Sequence, residues 1–269
     1  MMPITRVRRR LCLLLPGFLF SMAAGAVEPQ VPDWARPGSA SHTQVAPPSD
    51  FHRPSTDYPG PIGLFEGQTD VGTAAVPGSA SFDGKAGRYA VTSAGYNIWY
   101  GRDEFHFLWR KVSGDVSLAA TIDFPDAGGY GDRKAVLIIR QTLDDNSPEV
   151  LAGLHGTGSI QMARRLEVGA RIRDMEYAIG SRGDLPGGKS PDELVPASPR
   201  RLGLEKHGDD FQLYVSVAGE PLHPFGPPMR LHLDGPFYVG IGFCSHVPDK
   251  TDRVDLTDIV LEDQAGKVH

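Results

Sequence analysis

From residue 62 onward the chain is a succession of short runs in which apolar and polar side chains alternate with a period of two, the signature of half-buried strands. The clearest is 104–112. Phe105, Phe107 and Trp109 fall on one face, and Glu104, His106, Leu108 and Arg110 on the other. Residues 117–124 repeat the pattern, with Leu118, Ala120, Ile122 and Phe124 sharing a face. Residues 135–140 are apolar without a break until Arg140, which predicts a central strand covered on both sides. Further strands are predicted at 88–92, 150–154, 159–163, 166–172, 201–206, 211–217, 238–243 and 254–261. Turn residues separate them: Ser113-Gly114-Asp115, Ala127-Gly128-Gly129, Gly156-Thr157-Gly158, His207-Gly208-Asp209-Asp210 and Ala218-Gly219-Glu220.

Many short strands at this spacing predict an all-β protein, a jelly-roll sandwich of two antiparallel sheets. No repeat of 20–50 residues is visible, which argues against a propeller or solenoid. Before residue 62 the pattern is different. Residues 27–61 hold Pro29, Pro32, Pro37, Pro47, Pro48, Pro54, Pro59 and Pro61, and read as an extended linker, with Trp34 and Phe51 as residues that could dock on the domain. Residues 183–199, rich in Pro and Gly, read as a long loop. Residues 62–269 are then one sandwich domain.

The first 26 residues change the picture of where the protein works. Arg6, Arg8, Arg9 and Arg10 precede an apolar stretch at 11–22, and Ala24-Gly25-Ala26 is a small-residue cleavage site. The expectation is a signal peptide cut near Ala26 and a secreted or periplasmic protein, with no membrane span after processing. Loss of those four arginines takes the net charge from −6 to −10. An acidic domain argues against nucleic acid as a partner, because phosphate binding needs clustered cations. Cys12 leaves with the signal, so Cys244 stands without a partner for an intrachain disulfide.

An ordered series of motifs then points to a family. Gly78-Ser-Ala-Ser-Phe-Asp83, Tyr89-Ala-Val-Thr-Ser-Ala-Gly95, Asn97-Ile-Trp99, Asp103-Glu-Phe-His-Phe107, Ser113-Gly-Asp115, Lys134-Ala-Val-Leu-Ile-Ile-Arg140 and Ser147-Pro148 follow one another. The series resembles the concanavalin A-like modules of secreted bacterial proteins of unknown function. It is most similar to the module that precedes a TolB-like propeller, where Leu154-His-Gly156, Ser159-Ile-Gln161, 200–208 and 237–246 match later strands. The resemblance implies the fold. It leaves the function open, since this fold carries lectins, hydrolases and adhesion modules.

The candidate chemistry is sparse. Glucanases on this fold need two carboxylates on one face of a strand. Asp103 and Glu104 are adjacent, so on a strand they face opposite ways, and no catalytic residue is assigned. Cys244 and His246 at i, i+2 could hold half a zinc site, but His106, His155 and His207 lack ligand spacing, and no metal ligand is assigned. Asp249, Asp252, Asp255 and Asp258 could supply oxygens to calcium, although the Asp-x-Asp-x-Asp-Gly loop is absent; no other cofactor is expected.

The aromatic residues Tyr89, Tyr96, Trp99, Tyr100 and Trp109 carry the strongest functional hint, because sugar rings stack on exposed aromatics; the plainer reading places Trp99 and Trp109 in the core. Arg140 ends an apolar strand, and Gln161 and Arg164 lie on or just past a neighbouring one. Trp99, Tyr100, Arg140, Gln161 and Arg164 therefore form the candidate ligand-binding set. If Asp103 or Asp115 pairs with Arg140, its role is structural instead. The expectation is a non-catalytic module that binds a glycan. A protein-interaction module of the cell envelope and a hydrolase with an unrecognised site are the alternatives.

Overall fold

The computed structural model describes residues 52–172, 198–216 and 218–268, the backbone of Tyr177–Ile179, and the isolated positions Arg36, Ser39 and Ala46. The expected signal peptide at 1–26, Trp34, Phe51 and most of the 183–199 loop lie outside the described residues.

Sixteen strands among these residues, numbered in chain order, form two sheets, and no helix is present among them. The first sheet has nine strands. Its path is β1 (Thr56–Tyr58), β2 (Gly67–Val71), β6 (Asp103–Val112), β15 (Phe237–Cys244), β8 (Lys134–Arg140), β9 (Glu149–His155), β10 (Ile160–Arg165) and β11 (Tyr177–Ile179), with β5 (Asn97–Ile98) paired to β6. The second sheet has seven: β14 (His223–Arg230), β13 (Asp210–Ser216), β12 (Arg200–His207), β7 (Val116–Asp123), β16 (Asp252–Glu262), β4 (Arg88–Ser93) and β3 (Ser79–Asp83). The pairings are antiparallel, and the chain crosses repeatedly from one sheet to the other, as in a jelly roll.

The alternation explains the layers. Leu118, Ala120, Ile122 and Phe124 pack between the sheets against Leu137, Ile139, Leu204 and Phe243. The first sheet is apolar on its outer face too. Phe105, Phe107, Val136, Ile138, Leu151 and Ala163 form a second cluster there, covered by Ile98, Ile172 and the partly buried Leu143 and Trp99. Three segments make this cover, around 96–103, 143–147 and 168–172. They are tied to one another by Asp103 N to Asp145 O (2.7 Å), Gly169 N to Asn146 O (2.9 Å) and Ile172 N to Tyr100 O (3.4 Å). The fully buried β8 follows from being covered twice.

Two expectations change. Residues 52–61, assigned to a linker on their prolines, belong to the sandwich: β1 is the edge strand of the first sheet, where Pro54 and Pro59 flank rather than interrupt it. Residues 166–172 alternate like a strand but turn instead, with Ala170 N bonded to Glu167 O (3.0 Å).

Candidate functional site

The outer face of the first sheet has two polar ends. One surrounds Arg140. Its Nη2 lies 3.0 Å from Asp103 Oδ2 and 3.2 Å from Glu149 Oε2. Arg165, facing the same way from β10, places Nη2 2.6 Å from Asp103 Oδ1 and Nη1 3.1 Å from Glu149 Oε1. All four side chains are sealed from solvent. Arg165 also donates to the Ser147, Ala170 and Tyr100 carbonyls, one from each covering segment. Burial pushes the Glu149 carboxyl up, while Asp103 and Glu149 hold Arg165 firmly charged against its own burial. The two guanidinium groups and two carboxyl groups thus hold one another and fix the cover onto the sheet.

This geometry corrects part of the candidate set. Arg140 is paired internally with Asp103, the outcome that makes it structural, and its other partner Glu149 lies directly across the strand pair. Asp115 is elsewhere, bonded to His207 Nδ1 and the Gly208 amide. Arg164 faces away from Gln161, because β10 alternates; it points as Ile160 and Met162 do and donates to the Arg230 carbonyl at 2.6 Å. Tyr100 sits on the cover, its ring 5.5 Å from the Arg171 guanidinium. Asp103 and Glu149 do approach each other, but under two guanidinium groups and away from water, so they are not the open carboxylate pair of a glycosidase. Tyr89 is in the sandwich core and Tyr96 is buried with its hydroxyl on the Arg102 carbonyl.

The other end keeps Trp99 and Gln161 and adds residues the sequence did not single out for binding. Lys134 begins β8, across from Cys244 on β15 and His155 on β9. Its ammonium is buried, donates to Asn97 Oδ1 at 2.9 Å and lies 5.6 Å from the Trp99 ring. Gln161 is opposite Gly153, so no side chain stands between it and Val136. His246, just past β15, has a left-handed backbone (φ 63°) and stacks on Tyr130 at 5.3 Å and 7°. Burial, reinforced by Lys134, lowers both His155 and His246 to about 4, so both rings are neutral at pH 7; burial also lowers Lys134. His155 Nε2, Gln161 Nε2 and His246 Nδ1 have no hydrogen-bond partner among the described residues. Trp99 and His155 are half-buried and Tyr130 is exposed, so the cluster reaches the surface there. The signal that could have found Lys134 and His155 is their place on the outward parity of strands whose other parity is wholly apolar.

No set of three or more His, Cys, Asp or Glu suited to a metal gathers among the described residues. The acidic series is dispersed: Asp252 pairs with Arg133 (2.6 Å), Asp255 with Arg253 (2.6 Å), and Asp258 accepts from Thr121. No helix among the described residues is long and apolar enough to cross a membrane.

No protein-family model and no curated protein matches the chain. Solved structures do. A Saccharomyces cerevisiae protein described as functionally unknown superposes with a TM-score of 0.50 at 13% identity, covering 70% of this chain and 97% of that one. The chain is an all-β jelly-roll sandwich of two antiparallel sheets. Weaker likenesses include the carbohydrate-binding module CBM66 from Bacillus subtilis (TM-score 0.47, 15% identity, 75% of this chain and 99% of that one). Another is arcelin-5, a lectin-like defence protein from Phaseolus vulgaris (0.40, 10%, 77% and 96%).

Proposed function

We propose that this protein is an exported glycan-binding module whose ligand sits at the Trp99–Lys134–Gln161 end of the first sheet's outer face. One observation carries the reading. A half-buried indole and an exposed phenol flank a cluster in which three side-chain nitrogens have no hydrogen-bond partner among the described residues. Buried polar groups are ordinarily paired, and a group left without a partner costs about 1–3 kcal/mol. A sugar supplies what is missing: hydroxyls for the nitrogens and an apolar ring face for the aromatics. The likeness to a carbohydrate-binding module and a lectin-like protein agrees with this reading without specifying the ligand. Export is supported by the basic, apolar and small-residue order of the first 26 residues.

The test is a glycan array probed with the chain, followed by titration of the best ligand. Trp99→Ala and Gln161→Ala should each weaken binding about tenfold or more, near 1.4 kcal/mol; Trp99→Ala, which also uncovers part of the second apolar cluster, should lower the melting temperature as well. Full affinity in both variants would remove this end of the face as the site.

A further inference from the structure

We infer that the sugar recognised at this end carries an oxyanion substituent, a carboxylate or a sulfate ester, received by Lys134; this rests on the glycan-binding reading above. At this end of the face the unpartnered atoms are the nitrogens His155 Nε2, Gln161 Nε2 and His246 Nδ1; the Glu149 oxygens, which also lack a hydrogen bond, lie at the other end. Beside them stands a buried ammonium whose described hydrogen bond is a single one, to the neutral amide oxygen of Asn97. An ammonium has three donors. No carboxyl group lies within ion-pair distance of it among the described residues; at the other end of the same face, two arginines are matched by two carboxyl groups. Cys244, across the strand pair, is held in its neutral thiol form, since burial pushes it up to about 11, and Asp132 is exposed.

A buried cation without a counter-ion is costly, and an anionic ligand removes that cost where a neutral one does not. Gln161 Nε2 is a donor in any state. A neutral imidazole has one donor and one acceptor nitrogen, and His155 is already hydrogen-bonded to the Gln161 side chain, so Lys134 and Gln161 Nε2 are the donors that meet the oxygens of the group. Trp99, with Lys134 close to its ring, is placed to meet the sugar ring that bears the group. The protein as a whole is acidic, so its general field repels an anionic glycan. Any preference for acidic sugars has to arise at the site itself.

The experiment measures binding of the full chain to three soluble polysaccharides by titration calorimetry: a polyuronate, the same polymer with its carboxyl groups reduced to alcohols, and a sulfated galactan. The expected result is binding to at least one charged polymer at least tenfold tighter than to the carboxyl-reduced one. The charged polymer that binds identifies carboxylate or sulfate as the group. Lys134→Met should abolish the preference, and Lys134→Arg should retain part of it. The unmodified protein alone decides the question if the methionine variant fails to fold. Equal affinity for charged and neutral polymers overturns the inference and leaves the glycan-binding reading intact. Binding to neutral glycans on the array with none to the charged polymers does the same. Binding to no glycan of any kind overturns both.

Discussion

Arg164 and Arg165 are neighbours in sequence and opposite in consequence. Arg165 is buried in contact with Asp103 and Glu149; Arg164 reaches a backbone carbonyl near the surface. Removing a buried partner leaves the opposite charges uncompensated, so Arg165→Ala should cost about 3–5 kcal/mol, and Arg140→Ala a similar amount. Arg164→Ala should stay within about 0.5 kcal/mol. Chemical denaturation of the three variants checks this, and equal losses at 164 and 165 would contradict the pairing. Arg140→Lys should also be destabilising, since a point charge does not reproduce a fork between two carboxylates.

The two histidines give a pH dependence. Their folded-state values are depressed to about 4 from 6.5, so the unfolded chain takes up their protons first as pH falls. The stability they confer is present above pH 6.5 and is lost as pH falls towards 4. The double variant His155→Gln/His246→Gln should show a shallower loss of stability over that window than the native chain. Identical slopes would mean that the rings are not held neutral. At this scale the sequence showed that Arg140 needed a partner, and Asp103 was one of two named. It did not show which arginine joined it: the strand was placed at 159–163, whereas β10 runs Ile160–Arg165, and a choice of one residue reverses the face.

Elements were legible where one face is apolar and the other is not. β6, β7, β12 and β16 lie within two residues of their expected positions, because the sandwich core reads their alternation directly. β14 was invisible: Pro224, Pro227 and Pro228 argue against a strand, and only its place at the sheet edge tolerates them. β2 lacks a regular apolar alternation, and β3 alternates only over Ala80 and Phe82, with Phe82 exposed. The opposite error at 166–172 has the same root. Leu166 and Val168 are exposed while Ile172 is buried under the cover, so the alternation there does not report a sheet. Within β15, Gly240 answers to backbone spacing rather than pattern: a Cβ there would lie 1.8 Å from the Leu108 carbonyl oxygen of β6. Because the obstacle is backbone of a central strand, Gly240→Ala has to spread β6 from β15. It should cost at least about 2 kcal/mol by the same measurement, more than overpacking at a yielding site. A loss below about 0.5 kcal/mol would show that the sheet yields there.

For the molecule as a whole, the proposed binding end rests on a cover the alternation does not encode. The sandwich would be complete as two sheets, yet its first sheet carries a third layer of irregular chain, held by long-range polar contacts at 52–55, 96–103, 143–147 and 168–172. The N-terminal strip is part of this arrangement. Arg53 pairs with Glu104 and donates its backbone amide to Asp145 at 2.8 Å, Ser55 bonds the Leu143 carbonyl, and Tyr58 bonds Asp70, which in turn holds the buried His106. Glu104 and Asp145 are both buried, so they lose more than surface contacts if the strip is removed. A chain shortened to begin at residue 52 keeps all of these contacts and is the reference for the comparison. Beginning it at residue 61 removes β1, Arg53 and Tyr58 together, and should destabilise by about 3 kcal/mol, or roughly 6–12 °C for a domain of this size. Arg53→Ala in the full chain should reproduce part of that fall, because it takes the cation from Glu104 while leaving β1 in place. If the two shortened chains melt together, residues 52–60 are a linker after all, as their prolines suggest, and the third layer stands without them.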